Sequence, residues 1–198
     1  MRYSKSDFQR AVDLYLEWNV RINVVSRKDT DMLFEHHFLH SLAIAEYLST
    51  REEDTVGASF LDVGTGGGFP GIPLAMALPS SRFTLCDSIG KKIMVAREVA
   101  SSLGLDNVTF VCGRAEALDG RFDYVVSRAV TSLDRLYPWV KGKFGRALLC
   151  LKGGDVAQEL ATLNSRFGLD ASRQSIWPVS EWLDEEYFAE KFVIDIRK

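Results

Sequence analysis

The chain has 198 residues, 46% hydrophobic and 26% charged with no run near 18 apolar residues, which excludes a disordered or fibrous chain and gives no membrane span. Its three cysteines, Cys86, Cys112 and Cys150, cannot all pair and show no C-x-x-C spacing, so neither a disulfide framework nor a zinc cluster is expected, and the compartment reads as the reducing cytosol. The net charge of -3 conceals a distribution: residues 82–152 hold 12 Lys and Arg against 7 Asp and Glu, a net +5 between two flanks of -4, which allows a local basic face on an acidic protein.

The first third reads as helical. Phe8, Val12, Tyr15, Leu16 and Asn19 fall near one stripe at helical spacing, with Ser4 or Ser6 as the cap. A second helical run over about 31–48 puts Leu33, Phe34, His37, Leu42, Ile44 and Leu48 on a broad apolar face. Residues 1–56 are therefore expected to form an N-terminal helical extension and 57–198 the main domain.

From residue 58 short apolar runs alternate with helical stretches. ASFLDVG, RFTLCDS, VTFVCG, FDYVVSRA and RALLCLKGG read as strands, and GIPLAMAL, KKIMVAREVASSLG, SLDRLYPWVK and DVAQELATLNSRFG as helices. Strands apolar on both sides and alternating with helices predict an α/β domain, a parallel sheet covered on both faces. All three cysteines sit in such runs and read as small buried hydrophobes. Beyond Gly168 two extended runs without a long helix predict a terminal hairpin, hence an antiparallel edge.

The most specific local feature is FLDVGTGGGFPGIP, residues 60–73, between the first strand and the first helix of the main domain. Gly64, Gly66, Gly67 and Gly68 strip side chains from a sharp turn and let backbone amides approach a ligand. Two ligands compete. Gly66, Gly68 and Gly71 satisfy the G-x-G-x-x-G spacing of a dinucleotide loop. S-adenosylmethionine instead needs closeness plus an acid for its positive end, which Asp62 supplies at the strand tip, and Pro70 interrupts the helix entry that a pyrophosphate would use; the sulfonium cofactor is the favoured reading. Asp87 ends the second strand, where a carboxylate accepts from both ribose hydroxyls in either nucleotide class. After the third strand, Glu116 and the amide of Ala115 are placed for an adenine edge. The fourth strand ends in SRAV, without the [DN]-P-P-[YF] of amine methyltransferases or the Pro-Cys pair of pyrimidine-carbon enzymes. The acceptor atom thus needs neither deprotonation nor covalent help.

LDVGTGGGFPGIPLA, TLCDSIGKK, GRAEAL, VVSRAVTSL and LCLKGG, in this order, resemble the glucose-inhibited division protein B family, which methylates N7 of a guanine in small-subunit ribosomal RNA. The likeness extends upstream to WNVRINVVS and HHFLHSL and covers about residues 18–154. It implies a class I methyltransferase fold with an antiparallel seventh strand, S-adenosylmethionine as cofactor, and contacts to it from Gly64, Phe69, Asp87, Ala115 with Glu116, and Arg128. Where the family commonly shows Arg-His-x-x-Asp-Ser-Leu, this chain has His36, His37, Phe38, Leu39, His40, Ser41 and Leu42, so only His37, Ser41 and Leu42 carry over.

The resemblance implies that His37 faces the active site on the substrate side; Arg114, Arg128 and Lys152, at the carboxyl ends of three strands, are placed to hold phosphates or the guanine edge, and Lys91 and Lys92 at the start of a helix extend this basic substrate face. His36 and His40 are spaced i, i+4, but no third ligand is evident and no metal is expected. The expected partner is ribosomal RNA or the assembled small subunit, met by a monomer. A dehydrogenase using the same glycines, a methyltransferase of another RNA and a non-catalytic assembly factor remain the rival readings.

Overall fold

A computed structural model describes residues 3–26 and 29–198. Helix α1 (Lys5–Arg21) opens it. The backbone N–H and the hydroxyl of Ser4 both donate to the Asp7 carboxylate, at 3.0 and 2.8 Å, so the first turn is closed by the acid three residues into the helix. The second helical run begins differently from its periodicity. Phe34–Leu39 forms a π-helical turn that passes directly into α2 (His40–Thr50). The widened turn exposes carbonyls to side-chain donors: the Ser41 hydroxyl reaches the His37 carbonyl at 2.6 Å, and the Arg128 guanidinium reaches that of His36 at 3.3 Å. Such bulges cluster at functional sites.

Then β1 (Ser59–Val63), α3 (Gly71–Ala77), β2 (Arg82–Asp87), α4 (Gly90–Ser102), β3 (Val108–Cys112), β4 (Phe122–Arg128), α5 (Leu133–Val140), β5 (Phe144–Gly153), α6 (Val156–Phe167), β6 (Gln174–Pro178) and β7 (Lys191–Arg197) follow. The seven strands lie in the order β3-β2-β1-β4-β5-β7-β6. The first five are parallel, while β7 runs antiparallel between β5 and β6. The order reverses at β1, where connections leave in opposite directions and open a crevice at the carboxyl ends.

Alternation along the strands sorts the core into two layers. Phe60, Phe83, Tyr124 and Leu149 face one way with residues of α1 to α4, and Leu61, Val125, Leu148 and Cys150 face the other with α5 and α6. The rings of Phe60, Phe83 and Tyr124 stack across three neighbouring strands with centroids 4.8 Å apart at each step, fixing their register by side-chain packing. Helix α1 shares the first of these cores. Cys86 and Cys150 are buried as expected, but Cys112 is exposed: β3 is the sheet edge, and its outer residues lack a neighbouring strand.

The glycine loop is seated from below by this packing. Tyr15 of α1 is fully buried and donates its hydroxyl to the Gly67 carbonyl at 2.7 Å. A Cβ on Gly68 (φ 114°) would stand 2.6 Å from both that hydroxyl and Ile72 Cγ1, whereas one on Gly120 (φ 111°) would meet nothing within 4 Å. Backbone strain is common to both positions and the collision belongs to one. Gly68→Ala is expected to cost at least about 2 kcal/mol more stability than Gly120→Ala, and equal urea midpoints for the two variants would contradict this seating.

Candidate active site

Two cavities meet at Gly64. One, of about 260 Å³, lies beside the tips of β2 and β3 and is walled by Asp87, Ser88, Gly113, Ala115, Glu116 and Trp139, among others. The other, of about 400 Å³, lies between the glycine loop, the π-helical turn and the ends of β4 and β5, with Gly66, Phe69, His37, Arg128, Lys152 and Tyr187 in its wall. The sequence-predicted residues divide between them: Asp87, Ala115, Glu116 and Arg114 line the first, His37, Gly66, Phe69, Lys92, Arg128 and Lys152 the second, and Gly64 both. Asp62, Gly68 and Lys91 line neither.

Each placement has a local cause. The loop turns back after β1 because the amides of Gly64 and Thr65 both donate to the Cys86 carbonyl, at 2.8 and 3.1 Å. Gly66 sits at φ 57°, and a Cβ there would meet only Lys92 Cδ at 3.9 Å; its bare face is open to a ligand. Asp87 accepts from the amide of Gly66 and from that of Ile89, each at 2.8 Å. The carboxylate is thus held in plane at the rim with lone pairs left for ribose hydroxyls.

Asp62 acts differently from its expected role. It is fully buried, and its Oδ2 accepts from the Thr65 hydroxyl at 2.6 Å and the Gly71 amide at 2.9 Å, while Oδ1 has no partner. Its carboxyl ties the start of the loop to the start of α3 from beneath and does not meet the cavity. Burial raises its pKa to about 7 against the lowering effect of those two bonds. Gly68, likewise expected at the cofactor, lines neither cavity; the side on which a Cβ would stand is closed off by Tyr15 and Ile72.

Arg128, at the tip of β4, is the hinge of the larger cavity. Its guanidinium donates to His36 O and, at 2.9 Å, to His37 Nδ1, and lies 5.0 Å from the Phe69 ring centroid. Among the described residues no carboxylate pairs with it. Burial draws its pKa down to about 10, so it stays charged at neutral pH and awaits an anion. Lys152 differs, since it is paired with Glu159 at 3.0 Å and donates to the Thr131 carbonyl. Burial, with Arg128 adding to it, lowers His37 to about 3. The described residues hold no cluster of three or more metal-ligating side chains.

The sequence reading missed part of the wall. His36 stacks on Tyr187 with centroids 3.7 Å apart, and Lys191 Nζ lies 5.0 Å from the same tyrosine ring. Both Tyr187 and Lys191 come from the tail, beyond the residues that carry the family resemblance. The topology carries the signal that could have found them: an antiparallel last strand begins where the parallel strands end, and Lys191 pairs with Gly153.

Comparisons place this architecture. The model of the GidB family, rRNA small subunit methyltransferase G, matches residues 4–183. The ribosomal RNA small subunit methyltransferase G of Christiangramia forsetii is 45% identical over 197 residues, spanning 96% of this chain and 88% of that protein. Its Bacteroides fragilis counterpart is 44% identical over 198 residues, spanning 96% and 91%. Among solved structures, magnesium protoporphyrin IX methyltransferase from Synechocystis superposes with a TM-score of 0.69 at 14% identity over 97% of this chain and 94% of that one. A Clostridium thermocellum protein described as a putative rRNA-methylase gives 0.56 at 16% identity over 79% and 95%. These two likenesses speak for the class I methyltransferase fold alone, and the dehydrogenase reading of the loop falls with them and the family match.

Two variants test the geometry. Asp87→Ala should weaken binding of S-adenosylhomocysteine by roughly 1 to 3 kcal/mol through loss of a charged acceptor; unchanged affinity in calorimetry would remove Asp87 from the site. A raised carboxyl pKa makes the folded state hold a proton that the unfolded chain releases. Stability from Asp62 is full below the unfolded value near 4 and is lost as pH rises towards 7, by at most about 1.4 kcal/mol per pH unit. Relative to Asp62→Asn, the wild type should therefore lose stability between pH 5 and 7, and parallel unfolding curves for the two across that window would show that the carboxyl is not desolvated.

The residues from 4 to 183, the glycine loop and the seven-stranded sheet agree on one assignment: the chain belongs to the GidB family of small-subunit ribosomal RNA methyltransferases.

Proposed function

We propose that the protein transfers a methyl group from S-adenosylmethionine to N7 of a guanine in small-subunit ribosomal RNA. The observation that carries this reading is the pair of cavities joined over Gly64, one edged by the Asp87 carboxylate and the other by an Arg128 that has no carboxylate of its own. The fit is chemical. Asp87 offers acceptors to a ribose, Ala115 and Glu116 border the space for a purine, Gly66 presents bare backbone, and Arg128 matches the single carboxylate of an amino acid.

When bound, S-adenosylmethionine supplies an electrophilic methyl group on a sulfonium centre. The chain's own work is alignment. The loop between Gly64 and Phe69 orients the donor along the line between the two cavities, and in-line displacement gains most from fixed geometry. Guanine N7 carries an exposed lone pair without a proton at neutral pH, so no side chain has to act as a general base. Phe69, Leu151 and Tyr187 give the larger cavity apolar surface that thins the water around the reacting atoms.

Charge supports an RNA acceptor. The larger cavity is bordered by Lys92, Arg128, Lys152 and Lys191 against the single carboxylate of Asp29. Arg128 suits the one carboxylate of the cofactor and Lys152 is paired with Glu159, so Lys92 and Lys191 are left for the phosphates flanking a target nucleotide. Arg114 and Lys91, both exposed, extend this face at the smaller cavity and the start of α4. The acceptor is ribosomal RNA within the small subunit, met by a monomer in which the helices of residues 1–56 and the domain of 57–198 work as one unit.

Labelled S-adenosylmethionine incubated with small ribosomal subunits from cells lacking this protein should yield RNA counts that digest to 7-methylguanosine. Counts no higher than with heat-killed protein would reduce it to a binding factor, and label in another nucleoside would overturn the choice of N7.

A further inference from the structure

His37 occupies an unusual electrical position. It sits in the π-helical turn Phe34–Leu39 and forms part of the wall of the larger cavity. Its Nδ1 lies 2.9 Å from an Arg128 guanidinium nitrogen. Guanidinium nitrogens donate and never accept. His37 Nδ1 must therefore be the acceptor, which leaves it without a proton. The ring is neutral at physiological pH, since burial and the adjacent guanidinium both oppose a second proton. A neutral imidazole carries one proton, so in His37 that proton is on Nε2.

This forced tautomer has a chemical consequence. His37 Nε2–H is a donor and not a base, and it has no partner. The atom is buried in the cavity wall, and an N–H left unmet in such a place is costly. An acceptor on a ligand lodged in the cavity satisfies it once the ring turns towards that ligand. His40 Nε2 is also unpartnered, but no neighbour of known sense fixes its proton, so its polarity is open.

We propose that His37 is a specificity-determining residue that selects guanine by donating from Nε2 to O6 of the acceptor base. This rests on the functional reading above. On the Hoogsteen edge, guanine shows two acceptors, N7 and O6, whereas adenine shows N7 beside an N6 amino donor. A fixed donor next to the methyl-transfer line engages O6 and leaves the N7 lone pair free. Against adenine, it sets N–H against N–H and leaves both unpaired. Sites built to bond one polar group discriminate strongly against an analogue that lacks it. Arg128 is the positioning residue of the arrangement, because its donation to Nδ1 sets the proton on the opposite nitrogen; the same guanidinium remains able to face the cofactor carboxylate with its other donors.

The test couples one protein atom to one substrate atom. Small subunits are reconstituted with RNA carrying either guanine or 2-aminopurine, which keeps N7 and lacks O6, at the position the wild type is first shown to methylate. Wild type and His37→Leu are compared on both, with His37→Gln, which retains a donor, as the conservative variant. Binding of S-adenosylhomocysteine is measured for each by calorimetry. The expected result is a loss of about 10- to 100-fold in kcat/KM when either O6 or the His37 donor is removed, little further loss when both are removed, partial recovery in His37→Gln, and unchanged cofactor affinity.

Equal rates for the wild type on guanine and 2-aminopurine would overturn the proposal without any variant, and so would His37→Leu losing as much on 2-aminopurine as on guanine. A fall in S-adenosylhomocysteine affinity that matches the fall in rate would assign the donor to the cofactor instead. A wild type that transfers no methyl group to guanine-bearing subunits fails at the earlier step and removes the functional reading itself.

Discussion

The site depends on a turn of backbone that carries almost no side chains and is immobilised by groups from other elements. Asp62 of β1 grips it at Thr65 and at the start of α3, Asp87 of β2 holds the Gly66 amide, and Tyr15 of α1 holds the Gly67 carbonyl. Glycine gives the close approach that a ligand needs and at the same time removes the packing that would hold the turn in place. The three polar anchors compensate for that loss. This is why the opening helix, though distant in sequence, belongs to the cofactor site in its energetics.

The second constraint is electrostatic. Strands β4 and β5 deliver Arg128 and Lys152 to the carboxyl edge of the sheet, and the antiparallel β7 begins there with Lys191. These cations treat their partners unequally. Lys152 is already neutralised by Glu159, while Arg128 is spent on polarity, pointing donors at a carbonyl and an imidazole nitrogen. A guanidinium so placed does two things at once: it awaits an anion and it dictates where a neighbouring proton resides. The π-helical turn makes this possible by bringing His36 and His37 to the same side chain.

Much of this was readable from the sequence. The five parallel strands, their intervening helices and the late antiparallel strand follow from apolar runs ended by Gly, Asp and Ser, because strands with helices on both faces of their sheet leave that simple trace. The glycine loop and Asp87 were equally plain, since sharp turns and strand-tip acids are local features. What stayed hidden depended on distance in space. Asp62 looked like a ligand-facing acid because its position is right, and only the packing shows its carboxyl turned under the loop. The π-helical turn has no distinct hydrophobic period from an α-helix over six residues. Lys191 reaches the site through its pairing with Gly153, and Tyr187 through the short helical turn just before β7, neither of which local spacing encodes. Cys112 seemed buried because an edge strand can be written in the same apolar residues as a central one.

The central claim is that a single ligand straddles Gly64 and reaches from the smaller cavity into the larger one, leaving the rest of the larger cavity to the acceptor base. A crystal structure of the protein with S-adenosylhomocysteine tests it most directly. The account predicts the ribose hydroxyls on Asp87, the purine between Ala115 and Trp139, and the amino acid end over Gly66 with its carboxylate towards Arg128. A ligand confined to one of the two cavities, or bound away from the glycine turn, would contradict it.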